Sequence, residues 1–396
     1  MKRGVTSVKR KVLILYASYG DGHIQASRAL QEQFERDGGC DTALVDLFAE
    51  AYPKLNELTK YIYIKSYTVF PKLYGWSYYS TREMSNDTWF SAWFHSWGIG
   101  KLEEIVRRER PDAVVNTFPM LAMPELRRKR GVAVPIFNVL TDYVLHWRWI
   151  HPLIDRYYVA TDDLKAAMAN AGVPEHRVHV TGIPLKSAFR PMERTEALYA
   201  KYGLDPARRT VLIMAGSYGV LQGLRDVCGA LAALPDAQLI VVCGKNEALY
   251  ASMRDIADRS PNVKVFGFMK EMHELMSLAE TMVTKPGGIT LTEAIQCELP
   301  VVLLRPVPGQ ERDNAEYLAS RGAAFVARDD AEVLDAVRSL LEAPERRRNA
   351  VRAISALKQR DSAERIVRDI RDAIEVSRSE SVFAEERRRV SSERYT

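Results

Sequence analysis

The chain has 396 residues, 47% of them hydrophobic, which is enough to bury an ample core and, at ordinary domain sizes, enough for two domains. A small disulfide-stapled scaffold is excluded, because Cys40, Cys228, Cys243 and Cys297 are widely scattered, form no C-x-x-C pair and fall mostly in apolar runs, as expected in a reducing cytoplasm. The formal charge of +5 leans weakly towards anionic partners, but basic and acidic residues interleave and no reader motif occurs, so no nucleic-acid partner is expected.

The basic N-terminal stretch, Lys2, Arg3, Lys9, Arg10 and Lys11, leads into an apolar run about one strand long, too short for a signal peptide. That run, Lys11 to Ser18, is continuous and largely aliphatic or β-branched, the pattern of a parallel strand buried on both faces. It ends in Gly20-Asp21-Gly22-His23, and a helical repeat follows through Ala26, Leu30 and Phe34. Strand, glycine turn and helix open a doubly wound α/β domain. Nowhere do about eighteen apolar residues run uncharged, so membrane contact is expected to be peripheral.

Between Tyr61 and Trp97 lies about a third of all the aromatic residues, with Trp89, Trp93 and Trp97 recurring every fourth position and Phe90 and Phe94 beside them. On a helix these make one aromatic face suited to a headgroup boundary, although such stripes more often line a core. Basic runs at Arg107, Arg108 and Arg110 and at Arg127 to Arg130 offer charge for an anionic membrane surface.

Further strands are expected at Asp112 to Asn116, Pro135 to Leu140 and Asp155 to Val159. A turn rich in glycine and proline, Gly182 to Arg194, interrupts the pattern, which then restarts with Thr210 to Ala215 running into Gly216-Ser217-Tyr218-Gly219. Strands at Gln238 to Cys243, Val263 to Phe266, Thr281 to Thr284 and Val301 to Leu304 alternate with helical segments. The expected organisation is a first domain over 1–186, a second over 187–376, and a charged tail over 377–396 too poor in apolar residues to order itself.

Three motifs stand out: YGDGH at Tyr19 to His23, the stretch from Thr141 to Thr161, and KPGGITLTEA at Lys285 to Ala294 followed by PGQE at Pro308 to Glu311. Through them the chain resembles family 28 glycosyltransferases of the GT-B fold, over roughly Lys11 to Ala373. The likeness is to bacterial processive diacylglycerol glucosyltransferases and plant monogalactosyldiacylglycerol synthases in particular, with the GlcNAc transferase that makes lipid II more distant. The resemblance implies an α/β protein with two facing Rossmann-like domains and an interdomain cleft. It also implies an inverting transfer of glucose or galactose from a UDP-sugar co-substrate to the sn-3 hydroxyl of diacylglycerol, at the cytoplasmic face of the cell membrane.

Within that frame, Pro286, Gly287 and Gly288 let a diphosphate approach the backbone, and Ile289 and Thr290 open a helix whose free N–H groups face it. Thr290 and Thr292 are expected to add hydroxyl donors. The resemblance implies ribose contact for Glu293, sugar contact for Gln310, Glu311 and Asn314, and uracil contact for the backbone at Phe268 and Met269. Gly216 and Ser217 occupy the place of a second phosphate-facing loop, or simply a tight strand-to-helix turn. His23 is the candidate base, presented by Gly22; Asp142 is expected to orient it or an acceptor hydroxyl, or else to stabilise a turn. Asp21 departs from the all-glycine form of its motif in some relatives and its role is left open, a helix cap being one reading; Gly22, His146, Trp149 and His151 are read as lining the acceptor side. With no Asp-x-Asp pair, neither metal nor cofactor is expected. A UDP-GlcNAc 2-epimerase, a lipid II-type GlcNAc transferase and a non-catalytic nucleotide-sugar sensor remain alternatives.

Overall fold

The computed structural model describes residues 9–18, 20–54, 71–82, 98–119, 121–217, 219 and 223–376. The aromatic positions Trp89, Trp93 and Trp97 and the tail over 377–396 lie outside them. Two six-stranded sheets carry the architecture. In the first, β1 (Arg10–Tyr16), β2 (Cys40–Asp46), β3 (Ala113–Asn116), β4 (Ile136–Val139), β5 (Arg156–Val159) and β6 (Val178–Val180) are ordered β2-β1-β3-β4-β5-β6. In the second, β7 (Arg209–Met214), β8 (Ala237–Val242), β9 (Val263–Phe266), β10 (Thr281–Thr284), β11 (Val301–Leu304) and β12 (Ala324–Ala327) are ordered β12-β11-β10-β7-β8-β9. All pairings are parallel.

Parallel strands need crossover connections, which bury both faces of a sheet and account for the unbroken apolar runs at Val12 to Leu15 and Val211 to Met214. The strand order reverses beside β1 and beside β7, and at such switch points an open α/β sheet leaves a crevice at the carboxyl ends of its strands. Helices α1 (Asp21–Asp37), α2 (Pro71–Arg82), α3 (Gly288–Gln296) and α4 (Gln310–Ser320) reach the cleft, and α5 (residues 362–376) ends the described residues.

Helix α1 buries Ala26, Leu30 and Phe34 as its spacing predicts, and a left-handed Gly38 ends it (φ 68°). Helix α5 follows the second sheet in sequence, within the stretch assigned to the second domain, yet it packs on the first. Its Ile366, Val367, Ile370 and Ile374 join Val12, Ile14, Leu30, Phe34 and Phe137 in one cluster. Each of those four side chains is almost fully enclosed, and at about 2 kcal/mol for a buried aliphatic side chain this face holds the chain's return in place. The two halves are therefore tied twice. The crossing is tight at Gly182 (φ 85°), where a Cβ would meet Ser362 Oγ at 2.5 Å and Gln359 Cβ at 2.6 Å.

All four cysteines are buried and free, and burial pushes the Cys228 and Cys297 thiols up to about 12, so they pack as small hydrophobes. Among the described residues, no helix is long and apolar enough to cross a membrane.

Candidate active site

The turn after β1 presents His23 from the first turn of α1, partly exposed at the cleft. Its Nδ1 lies 2.6 Å from the Thr117 carbonyl oxygen and 3.1 Å from Thr141 Oγ1. A carbonyl only accepts, so Nδ1 carries the proton, and Nε2 of the neutral ring is left with a free lone pair. Thr117 is itself fixed by the Ser27 hydroxyl at 2.8 Å, and Phe118 packs edge-on against the imidazole at 4.9 Å. Burial lowers the His23 pKa from its ordinary value, while the nearby Asp142 carboxylate pulls it the other way. Burial thus favours the neutral imidazole, the form in which a histidine can take up a proton.

Opposite stands the loop from β10 into α3. The helix begins at Gly288, one residue before the expected start, with Gly287 as its N-cap and no side chain capping it. The amides of Gly288, Ile289 and Thr290 have no acceptor within the helix, and the helix dipole adds positive potential there. Lys285, just before the turn, strengthens it. Its Nζ is 3.6 Å from Glu311, burial lowers its pKa, and its stem runs past Gly216, where a Cβ would lie 3.9 Å from Lys285 Cε. Gly216 (φ 75°) and Ser217 belong to the adjoining loop after β7, and the Ser217 carbonyl accepts from Lys245 N. Lys245 also reaches Asp21 (3.8 Å) and lies 5.3 Å above the ring of Phe268, which is 48% exposed beside Met269. Asp21 is therefore a residue of the cleft rather than a helix cap, for α1 has no side-chain cap.

The Glu293 carboxyl, one turn into α3, is pushed up to about 8, chiefly by burial and then by the charge of Asp21. Thr292 does not serve as an open donor. Its hydroxyl gives its proton to the Gly288 carbonyl at 2.7 Å and accepts from Tyr143 at 2.8 Å.

The two walls touch. Gly22 packs on Ile289, whose Cγ1 would be 3.3 Å from a Cβ there, and a Cβ on Gly288 would lie 2.0 Å from the Thr141 carbonyl oxygen. Asp142 accepts hydrogen bonds from Gln310 and from Asn314 (3.2 Å). Asn314 further reaches the Pro286 carbonyl (3.2 Å) and accepts from Tyr143 N (3.0 Å). Asp142 therefore acts on His23 through its field, while Thr117 and Thr141 hold the ring. Burial holds the Asp142 pKa above its ordinary value, against the Gln310 amide, His23 and the Asn314 amide, which all lower it.

Two expectations for the acceptor side are corrected. Trp149 is 2% exposed and belongs to the core. His151 is a turn anchor, its Nδ1 accepting from Leu153 N (3.1 Å) and its Nε2 lying 3.7 Å from Glu125. His146 accepts from Arg148 N (3.2 Å), and its ring meets Tyr78 of α2 at 4.9 Å, so it touches the aromatic stretch. Arg127, expected at a lipid-facing surface, turns inward to the carbonyls of Val134 and Leu153 and to Asp155. Lys285, Thr117 and Tyr79 of α2 are site elements that the sequence reading leaves unassigned.

Residues 23–185 match the family model for monogalactosyldiacylglycerol (MGDG) synthase, and residues 148–371 match that for UDP-N-acetylglucosamine 2-epimerase. Over 90% of its length the chain is 41% identical to a processive diacylglycerol β-glucosyltransferase of Bacillus cereus (strain AH187), covering 92% of that protein. The enzyme of the same name from Bacillus thuringiensis (strain Al Hakam) is 43% identical over 84% of this chain and 86% of its own length. Among solved structures, Acinetobacter baumannii MurG superposes with a TM-score of 0.60 at 16% identity, covering 92% of this chain and 99% of that one. The UDP complex of Staphylococcus aureus MnaA gives 0.61 at 15%, covering 92% and 97%. At such identity these two speak for the fold alone, and the fold is GT-B, with two parallel α/β domains facing across a cleft. Near-full-length identity decides the rest: the chain belongs to the processive diacylglycerol β-glucosyltransferase family of family 28 glycosyltransferases.

Proposed function

We propose that this glycosyltransferase moves a hexose, glucose in the first instance, from a UDP-sugar to the sn-3 hydroxyl of diacylglycerol with inversion, at the cytoplasmic face of the cell membrane. The observation that carries the reading is the pairing of a neutral His23, its Nε2 lone pair free, with the uncapped N-terminus of α3 across the same cleft. In the reaction Nε2 takes the proton from the acceptor hydroxyl. The hydroxyl oxygen bonds to C1 of the α-linked sugar, and the C1–O bond to the diphosphate breaks, UDP leaving with the electron pair. The imidazolium so formed is favoured by the Asp142 charge. The charge growing on UDP is offset by the amides of Gly288, Ile289 and Thr290 and by Lys285.

Glucose is favoured because the relatives are named glucosyltransferases. Membrane contact is supported by Trp76 and Trp147, 69% and 37% exposed, which are sequence neighbours of the touching pair Tyr78 and His146. The deciding experiment incubates the purified protein with diacylglycerol liposomes and either UDP-glucose or UDP-galactose. A β-glycosyldiacylglycerol is the expected product, with full activity in excess EDTA because protein groups alone offset the diphosphate charge. An epimerised sugar nucleotide without glycolipid, or UDP binding without turnover, would overturn it.

Glu293 is proposed to accept the ribose hydroxyls, which requires the carboxylate form. Since burial holds the Glu293 proton up to about pH 8, UDP affinity should climb by up to about tenfold per pH unit below 8 and level off above. Glu293→Gln should weaken UDP about tenfold above pH 8 and remove most of this slope, as read by calorimetry across pH.

A further inference from the structure

The first turn of α4 carries Gln310 and Glu311, with Asn314 one turn on, and its N-cap is Gly309, which has no side chain with which to close it. The missing cap comes from the other half of the molecule. Tyr79 of α2 accepts a hydrogen bond from Gly309 N at 3.2 Å and donates one to Asp313 Oδ1 at 3.0 Å, so one hydroxyl ties the N-cap to the turn behind it. One helical turn before Tyr79, Gly75 brings the α2 backbone against Pro308, whose Cβ would be 2.4 Å from any Cβ there. The glycine and the tyrosine, at i and i+4, form a single face seated on the loop Pro308–Gly309. No other residue of the first half both accepts from and donates to the α4 turn among the hydrogen bonds of the described residues.

We propose that Tyr79 is a positioning residue for donor-sugar recognition: it holds the first turn of α4 so that Gln310 and Glu311 meet the hexose of the sugar nucleotide, whereas Asn314, fully buried and bonded to Asp142, Pro286 and Tyr143, is framework rather than the sugar contact expected from the motif. The inference rests on the UDP-sugar reading above. It has a consequence that reading lacks, since donor selectivity then depends on a helix that the sequence joins to the aromatic-rich stretch of the acceptor half.

The test is calorimetric binding of UDP and of UDP-glucose to the full-length protein, wild type against Tyr79→Phe and Gly75→Ala, with thermal melts as a folding check. Phenylalanine keeps the ring and removes both hydrogen bonds; alanine at Gly75 leaves Tyr79 intact and wedges α2 away from Pro308. Either variant should weaken UDP-glucose about tenfold while moving UDP less than threefold, because UDP has no hexose for α4 to read. Equal losses for the two ligands, or no loss for UDP-glucose, would overturn the proposal, and a variant that fails to fold leaves the other to decide. If the wild type binds both ligands and the variants split them, but liposomes yield no glycolipid, the positioning role stands and the proposed transfer falls.

Discussion

Replacing His23 with alanine is expected to lower kcat by about three orders of magnitude while leaving the affinity for UDP within about twofold, as read by liposome turnover and by calorimetry. The asymmetry follows from the geometry. The imidazole is held from the first half by the Thr117 carbonyl and Thr141, whereas the proposed diphosphate contacts lie on α3 of the second. The pH profile supplies an independent sign. The base works only when neutral, and burial lowers its pKa, so kcat in the wild type, read at saturating UDP-sugar where Glu293 is already ionised, should hold steady down to about pH 6.5 and fall with a midpoint below it. Turnover by the alanine variant at more than a tenth of the wild-type rate, or an acid limb centred above 7, would remove His23 from the reaction.

The second large effect is expected at a residue with no side chain. Gly288→Ala puts a methyl carbon 2.0 Å from the Thr141 carbonyl oxygen and 3.0 Å from Asp142 Oδ1, so the halves cannot come together at the point where Asp142 receives Gln310 and Asn314. Displacing reacting groups by about an ångström costs on the order of a hundredfold, and kcat should fall at least that far. Alanine keeps the amide that faces the diphosphate, so UDP binding should fall far less than turnover does. A loss of UDP affinity as large as the loss of turnover would mean instead that the bare glycine is needed for the approach of the diphosphate and not for the closure.

How much of this was legible in the sequence depends on what each residue touches. Strands β1, β3 to β5, β7, β8, β10 and β11 are enclosed on both sides, and their aliphatic runs mark them within a residue or two. Of the edge strands, β9 is still marked by Val263 to Phe266, but β2, β6 and β12, where Asp41 and Val326 face solvent and β6 spans only Val178–Val180, leave no comparable run. In the cleft, Gly22, His23 and the Lys285 to Glu293 motif are local in sequence and could be read directly. The Thr117 carbonyl could not, because a backbone group has no sequence signature. Nor could the bonds from Gln310 and Asn314 to Asp142, which join positions about 170 residues apart. Tyr79 was hidden by its company: an aromatic-rich stretch points to a membrane surface, and nothing local says that one phenol turns inward. Trp149 and His151 show the converse, since a motif marks a neighbourhood without saying which of its members are framework.

The return of α5 to the first sheet bears on how the protein can be dissected. A gene cut between the two sheets would deprive the amino-terminal fragment of the cover over Val12, Ile14 and Phe137, and leave the carboxy-terminal fragment trailing a greasy helix with nowhere to lie. A soluble amino-terminal unit must therefore bring residues 362–376 with it. Fusing that segment ahead of Arg10 is a natural route, because Arg10 already pairs with Glu375 at 2.8 Å and the new junction would have only a short gap to span.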